Sequence, residues 1–442
     1  MRATILLTAV LLSACNEAPI DQPFSTHERY SALLDSTGAD GTLLGRSWLE
    51  AGRIALLEPV PVTLPYAEAG AFLAHEAVAN GYAFAGVEGL RLRVELATAG
   101  PEANVPAGNV YVELFRVERR GEDSRHTRIA ALPPEQPVLE VELPAEGTYV
   151  LRLQPELLAD LRFRLAIEAE AVLPFPVSGL GTGAVQSFFG AERDAGARQH
   201  EGVDIFAPRL TPVIAVADGR ATPRRNRLGG NTVWLTVAGA SYYYAHLERA
   251  AFESARRVRA GDVLGYVGNS GNAATAPPHL HFGVYRWGRG AVDPLPLLGA
   301  RHFDAELAPA LFEPRYGETL ADTLHLRRAP SRTSDSVALL PAGTLVRSSA
   351  ASGEWLRVNV PGSDGQRGWI HARYERRLDT AERRWQAPAP LFLHGRPRAA
   401  EPVVDYVEAG TVLEVLAERD DHLLLRNSAT SRVGWAPGAA DS

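Results

Sequence analysis

Between residues 61 and 172, apolar and polar residues alternate with a period of two. The segment 90–96 alternates strictly, and the segments 110–115 and 148–153 repeat the pattern. Successive side chains of a β-strand point to opposite faces, so this alternation predicts strands with one buried face. Turns rich in glycine, proline and acidic residues separate the runs. Several short strands at this spacing predict an antiparallel β-sandwich over 61–172. No cluster of catalytic residue types lies in it.

The last third of the chain contains an internal repeat of short apolar runs and turns. The order Leu-x-Leu, then Ala-Gly-Thr, then Gly-Trp occurs first between 324 and 369 and again between 391 and 435. Each unit is too short for a sandwich. The repeat therefore predicts two small barrels, one over 313–379 and one over 386–442.

The first fifteen residues have the pattern of a secretory signal. Met1 and Arg2 supply a positive charge, residues 3–12 are apolar, and Leu-Ser-Ala precedes the sole cysteine, Cys15. The apolar run is too short to span a bilayer, and the pattern matches a bacterial lipobox. We predict a lipoprotein signal peptide over 1–14 and lipidation of Cys15. The alternative is an N-terminal core segment with a cysteine there by chance. Residues 15–60 are predicted to be a tether with short helical pieces, such as 46–57.

Composition narrows the classes of protein that the chain can form. The 442 residues are 46% hydrophobic and 22% charged, which is typical of globular protein. The net charge is −7 and no segment is strongly basic, which argues against a nucleic-acid partner. A single cysteine permits no intrachain disulfide and no cysteine-rich zinc site. No segment after the signal reaches 18 apolar residues, so the lipid is the only membrane attachment that the sequence predicts.

Residues 173–312 contain the residue types that a metal site needs. His200 and Asp204 are four residues apart, and Gly202 between them can supply the bend that would bring them together. His279 and His281 alternate with apolar residues in His-Leu-His-Phe-Gly-Val-Tyr, which places both imidazoles on one face of a predicted strand. Both can bind one ion, or one can bind it while the other lies in the surrounding shell.

Two histidines and one carboxylate are three protein ligands, which leaves a fourth tetrahedral position for water. That pattern is typical of a catalytic zinc ion. A remaining histidine can then take a proton from the water, and another can donate to the developing oxyanion.

The order of these motifs resembles the lysostaphin/LytM-type zinc metallopeptidases, whose signature is His-x-x-x-Asp followed by His-x-His. The resemblance implies an antiparallel β metallopeptidase domain with one zinc ion, bound by His200, Asp204 and His281. It implies that His279 is the base and that His246 stabilises the transition state. Members of the family cleave peptide bonds in peptidoglycan, and some relatives have lost ligands and act as binders or activators. The matching segments are 200–205, 211–213, 217–219, 230–233, 244–247, 261–265, 268–271 and 279–282.

The two C-terminal units resemble bacterial SH3-like domains. Such domains commonly bind cell-wall peptides or position a catalytic domain, and a purely structural role is the alternative. The first unit fits the pattern well. In the second, His422 replaces the middle tryptophan and Leu393-His394 replaces Leu-Arg, which weakens the case for ligand-binding aromatic residues there.

The sequence thus predicts a mostly β, multidomain protein. We expect a lipid-anchored zinc endopeptidase that hydrolyses peptide cross-links of peptidoglycan, in the cell envelope and facing the periplasm. Asn16 after the lipidated Cys15 favours the outer membrane. The alternative is a non-catalytic wall-binding protein or amidase activator with the same fold. Attack on foreign cell walls is a weaker alternative, because a tethered enzyme acts on its own cell.

Overall fold

The computed structural model describes residues 25–438, except for 75, 103, 121–122, 134–135, 194–197, 300–309, 362–365, 395–402, 420 and 431. β-strands dominate this part of the chain, which confirms the mostly β, multidomain prediction. The predicted signal peptide over 1–14 and Cys15 lie outside the described residues. Within them, no helix is long and apolar enough to cross a membrane.

Two helices precede the sandwich. α1 (Thr26–Ser36) begins at a capping box, in which Ser25 and Glu28 satisfy each other's backbone N–H groups. α2 (Leu43–Leu57) buries Trp48, whose indole N–H donates to Pro155 O at 2.7 Å. The predicted helical piece over 46–57 lies within α2, and the rest of the predicted tether includes α1. The helices pack on the sandwich because Trp48 and Leu34 need an apolar surface to cover them.

The predicted sandwich has two sheets. One sheet has the strand order β1-β3-β8-β5-β6, and the other contains β2, β9, β4 and β7. Their facing side chains form a single apolar core. The strands are β1 (Val60–Pro61), β2 (Tyr66–Phe72), β3 (Asn80–Gly86), β4 (Arg91–Ala99), β5 (Val110–Arg120), β6 (Asp123–Ala131), β7 (Val138–Glu142), β8 (Gly147–Pro155) and β9 (Leu161–Glu170).

The region predicted as the metallopeptidase domain, residues 173–312, contains one large antiparallel sheet with the order β10-β13-β20-β17-β16-β15-β18. Strand β14 pairs with β19, β19 also pairs with β17, and β21 pairs with β20, while β11 and β12 form a separate hairpin. The strands are β10 (Val185–Ser187), β11 (Glu192–Arg193), β12 (Arg198–Gln199), β13 (Val203–Phe206), β14 (Pro212–Ile214), β15 (Gly219–Asn226), β16 (Gly230–Val237), β17 (Ala240–Ala250), β18 (Arg256–Val258), β19 (Val263–Val267), β20 (His279–Arg286) and β21 (Gly290–Val292).

The first SH3-like unit continues the second sheet of the sandwich. Its strand β25 pairs with β2, with Ala350 opposite Gly70. At this junction Arg357 donates to Glu68 at 2.7 Å, and the Glu68 side chain is fully buried. The unit is therefore fused to the sandwich through strand pairing and a buried ion pair. Its strands are β22 (Arg315–Thr319), β23 (Leu324–Arg327), β24 (Ser336–Leu340), β25 (Leu345–Ser352), β26 (Trp355–Asn359), β27 (Arg367–His371) and β28 (Glu375–Arg377).

The second unit has the strand order β29-β32-β33-β34-β30-β31 and packs on the first through buried Trp435 and Tyr316. Its first strand begins three residues before the predicted boundary at 386. Phe392 and Tyr406 are about half exposed, although the replacement of the middle tryptophan by His422 weakened the case for ligand-binding aromatic residues here. The strands are β29 (Arg383–Gln386), β30 (Leu391–His394), β31 (Val403–Val407), β32 (Val412–Arg419), β33 (His422–Arg426) and β34 (Val433–Pro437).

Short 3₁₀ turns connect some of these helices and strands. They cover Ala39–Gly41, Thr182–Ala184, Gly271–Ala273, Leu295–Leu297 and Ala372–Tyr374.

Candidate metal centre

Strand pairing brings the predicted metal ligands together. On neighbouring antiparallel strands β13 and β20, Asp204 lies directly opposite His281. His200 lies just before β13, and the chain bends at Gly202 to reach the same place. The predicted alternation of β20 is confirmed, since Leu280, Phe282 and Val284 are buried in the core.

The ligand atoms of His200, Asp204 and His281 form a nearly equilateral triangle. His200 Nε2 lies 2.9 Å from His281 Nδ1, and each lies 3.0 Å from Asp204 Oδ1. Three atoms about 3 Å apart can all lie about 2 Å from one point above their plane, which is the distance of zinc from nitrogen and oxygen ligands. In the described part of the chain, this is the group of His, Cys, Asp and Glu residues that could hold a metal ion. The donor set therefore fits zinc.

The surroundings of these atoms favour the forms that can bind a cation. His200 Nδ1 donates to Phe188 O at 2.9 Å, which leaves a lone pair on Nε2 of the neutral ring. Burial lowers the pKa of His281, which also favours a neutral ring. Burial opposes the charge on Asp204, but the adjacent imidazoles of His200 and His281 outweigh it and hold the pKa of Asp204 well below its usual range. The site thus presents one carboxylate and two imidazole donors.

Gly202 has a second role besides the bend. A Cβ atom there would come within 2.8 Å of His281 Cε1 and 2.5 Å of Phe282 O. Only a residue without a side chain lets the His281 ring lie beside β13. Substitution of Gly202 would therefore displace a metal ligand.

Arg193 was not predicted from the sequence. It lies on β11, and its guanidinium donates to Asp204 Oδ2 at 2.6 Å and to Ser187 Oγ at 2.6 Å. Because Oδ2 is engaged in this way, Oδ1 is the oxygen that faces the two histidines. No short motif marks Arg193, since its contact with Asp204 depends on how the β11–β12 hairpin folds over the site.

His246 interrupts the pairing of β17. Up to Ala245 the strand pairs with β20, and from Leu247 onwards it pairs with β19. His246 itself has a φ of 61°, a left-handed conformation that is uncommon for a residue with a side chain. This conformation places its ring 5.0 Å from that of His279 and 6.0 Å from that of His281, measured between centroids. The structure therefore brings all five predicted site residues together.

His279 and His246 are held in the same way. His279 Nδ1 donates to Pro277 O at 2.8 Å, and His246 Nδ1 donates to Ser270 O at 2.9 Å. Carbonyl oxygens only accept, so both Nδ1 atoms carry hydrogen and both Nε2 atoms are available. Burial lowers the pKa of His246 to about 4, so its ring is neutral at pH 7. In its neutral form, either ring can accept a proton at Nε2 and can donate from that atom only after it has done so.

The left-handed residue at 246 also changes which tyrosine faces the site. Simple alternation along β17 groups Tyr244 with His246, but Tyr244 is fully buried and its hydroxyl accepts from Val216 N at 3.0 Å. Tyr243 lies near the metal ligands instead, with its ring centroid 5.9 Å from that of His281. The other histidines of the described chain lie outside this cluster: His27, His126, His325, His371, His394 and His422. His75 and His302 are not among the described residues.

Comparison with known proteins agrees with this geometry. Residues 198–294 match Peptidase family M23, and residues 321–374 match the Bacterial SH3 domain family. The chain thus carries an M23 peptidase domain followed by a bacterial SH3 domain. The resemblance to lysostaphin/LytM-type peptidases is confirmed for this part of the chain.

Individual relatives match over this domain. The DD-carboxypeptidase/endopeptidase Mpg of Neisseria meningitidis is 44% identical over 88 residues, 19% of this chain and 20% of that protein. The L-Ala--D-Glu endopeptidase of Bacillus subtilis is 37% identical over 111 residues, 23% of this chain and 34% of that protein. The chain therefore spans between a fifth and a third of the length of these relatives. The solved catalytic domain of lysostaphin from Staphylococcus simulans is 29% identical, with 25% of this chain and 89% of that chain covered and a TM-score of 0.23.

Proposed function

We propose that the protein is a lipid-anchored zinc endopeptidase that hydrolyses peptide cross-links of peptidoglycan. The observation that carries the proposal is the triangle of His200, Asp204 and His281 beside two further histidines with free Nε2 atoms. Peptidoglycan peptides are the proposed substrate because the relatives over this domain are named for such activities.

The residues of the site would have different roles in hydrolysis. His200, Asp204 and His281 would hold a zinc ion, which polarises a carbonyl and lowers the pKa of a bound water molecule to about 7. His279 would accept a proton at Nε2 and return it to the departing amine. His246 lies across from it, and once its Nε2 has taken up a proton it would stabilise the charge that develops on the carbonyl oxygen of the scissile bond.

The alternative is a protein that binds the wall or activates an amidase without cutting peptides. The complete ligand set favours catalysis, because a binder needs neither two spare histidines nor a carboxylate held by Arg193. Digestion of purified sacculi separates the two functions. The full chain with zinc should release peptides that mass spectrometry assigns to cleaved cross-links. The chelator-treated protein and Asp204→Ala should release none. Retention on sacculi without any release by the zinc-loaded protein would favour the alternative.

We also propose anchoring through Cys15, with the outer membrane as the compartment. The support is the lipobox and Asn16, which follows the cysteine. Cys15→Ala should accumulate as an unprocessed precursor, whereas Ser13→Ala should be processed as the wild type is. Normal processing and membrane fractionation of Cys15→Ala would contradict lipidation.

A further inference from the structure

A row of three aromatic side chains runs along the sheet away from the metal centre. Tyr243 on β17 lies opposite Gly283 on β20, and Trp234 on β16 lies opposite Tyr243. Tyr285 continues the row on β20, two residues beyond Gly283. The core contains the strand neighbours Val233, Leu235, Tyr242, Tyr244 and Val284. The row therefore lies on the opposite face, which is also the face of His281.

The three rings contact one another and keep part of their surface exposed. The centroid of Trp234 lies 4.5 Å from that of Tyr243 and 5.4 Å from that of Tyr285. All three residues are partly exposed. In the described part of the chain, no guanidinium lies over any of these rings. The row is therefore an open aromatic surface that begins 5.9 Å from the His281 ring.

Gly283 lets this surface continue from the metal centre. A Cβ atom at 283 would lie 3.0 Å from Tyr285 Cε2 and 3.0 Å from Glu201 O. Any side chain there would push the Tyr285 ring away from its place. The glycine thus lets the Tyr285 ring and the Glu201 backbone lie close to the sheet.

A carboxylate closes the far end of the row. Glu201 is exposed, and its Oε2 accepts a hydrogen bond from the Tyr285 hydroxyl at 3.2 Å. Burial and the Glu201 charge raise the pKa of Tyr285 well above its ordinary value, so the phenol stays neutral and donates. Within the described residues, Glu201 has no cationic partner. The Glu201 carboxyl group therefore lies beside the edge of the aromatic surface.

We propose that Glu201, Tyr243, Trp234 and Tyr285 form a subsite for a protonated amine on a side chain of the substrate peptide. Aromatic faces attract cations through their quadrupole, and a carboxylate attracts the same group and repels anions. The inference rests on the proposed peptidase function and names the feature of the substrate that the enzyme selects. His281 and Tyr285 are four residues apart on one strand, or about 13 Å. The amine would therefore belong to a residue within about four positions of the scissile bond.

A pair of substrates that differ at one amine tests this subsite. One is a cross-linked muropeptide with a free side-chain amine, and the other is the same molecule with that amine acetylated. We expect the wild type to have a KM about tenfold lower for the free amine, as a cation held by aromatic rings and a carboxylate implies. Glu201→Gln should abolish the difference. Tyr285→Phe should keep part of it, because the ring remains, and Tyr285→Leu should lose it.

Controls separate this subsite from the chemistry of the metal. Glu192→Gln removes an exposed carboxylate on β11 and should keep the wild-type preference. Calorimetry with chelator-treated protein measures the affinity for the two uncut muropeptides without any turnover. Equal affinity of the wild-type protein for both would overturn the subsite, whether or not peptides are cleaved. A clear preference in calorimetry with no cleavage by the zinc-loaded protein would instead reject the peptidase function and leave the subsite standing.

Discussion

The guanidinium of Arg193 donates to Asp204 Oδ2 at 2.6 Å, while Oδ1 of the same carboxylate faces His200 and His281 of the candidate metal centre. The arginine thus fixes the rotation of the carboxylate and leaves one oxygen for the ion. Residues that orient metal ligands in this way typically contribute 10–100-fold to metal affinity. Arg193 acts through Asp204, so we regard it as a positioning residue.

Replacement of Arg193 should therefore weaken metal binding and leave the fold intact. We expect Arg193→Gln to bind zinc about 10–100-fold more weakly than the wild type in competition with a chelating dye. Arg209→Gln is the matched control, because it breaks an exposed ion pair with Glu248 in the same domain. Thermal unfolding of both metal-free variants should be similar. Wild-type zinc affinity in Arg193→Gln would show that Asp204 needs no such support.

The two histidines of β20 should respond differently to removal. His281 belongs to the ligand triangle, so His281→Ala leaves two protein ligands and should purify poor in zinc and inactive. His279 lies beside the triangle, so His279→Ala should keep near-stoichiometric zinc and lose about 10²–10⁴-fold in rate. His246→Ala should resemble His279→Ala. Metal content by mass spectrometry, together with hydrolysis of a cross-linked muropeptide, distinguishes these outcomes.

An exposed histidine far from the site serves as the reference for these variants. His325→Ala in β23 should match the wild type in both measurements. Loss of zinc in His279→Ala with retention in His281→Ala would reverse the two roles. Wild-type cleavage by either variant would contradict the metallopeptidase mechanism.

Two aromatic residues of the second SH3-like unit are suited to contact with the wall. Phe392 and Tyr406 lie opposite each other on β30 and β31, with ring centroids 5.4 Å apart and about half of each residue exposed. If the units position the enzyme on peptidoglycan, the double variant Phe392→Ser/Tyr406→Ser should be retained on sacculi several-fold less than the wild type. Soluble muropeptides should still be cut, because the metal centre is untouched.

The control for wall binding removes an exposed apolar residue elsewhere. Leu339→Ser in the first unit changes a side chain that is 56% exposed, and it should leave sacculus retention unchanged. Unchanged retention of the double aromatic variant would support a purely structural role for this face. Deletion of the first unit is a poor test, because β25 is paired with β2 of the sandwich.

Local patterns were sufficient to predict which side chains come together at the candidate site. The alternation of His279-Leu280-His281 placed both imidazoles on one strand face, and the ordered motifs marked His200 and Asp204. Arg193 could not be predicted in this way, because it reaches Asp204 from a separate hairpin. Tyr243 was missed because the left-handed backbone at His246 shifts the alternation of β17 by one residue.

The arrangement of the domains was harder to predict from the sequence than the candidate site was. Alternation predicted the sandwich strands. The sequence pattern of β2 does not indicate which strand will pair with it, so its pairing with β25 was not predicted. The helical piece over 46–57 was predicted, but α1 and the packing of both helices on the sandwich were not. Their stability comes from packing Trp48 on the sandwich, a tertiary contact that the local sequence does not show.

The pH dependence of folding should report on His27, which α1 buries against the sandwich. Its Nδ1 lies 3.0 Å from the Arg152 guanidinium and must accept, while its Nε2 donates to Gln154 Oε1 at 2.8 Å. An imidazolium cannot accept, so the folded protein holds His27 neutral. Burial and the Arg152 charge lower its pKa to about 4. Between pH 6.5 and pH 4 the unfolded chain therefore binds more protons at this residue, and the folded state loses stability as the pH falls.

This loss should amount to about 2 kcal/mol between pH 7.5 and pH 5, since each pKa unit corresponds to about 1.4 kcal/mol. Urea unfolding of the wild type at the two pH values, with chelator present so that metal release does not contribute, should show it. His27→Asn keeps one donor and one acceptor but has no proton to gain, so its stability should fall by about 2 kcal/mol less over the same interval. His325→Asn changes an exposed histidine and should follow the wild type. If His27→Asn loses as much stability as the wild type, some other group is responsible for the acid sensitivity, and His27 is not held neutral by Arg152.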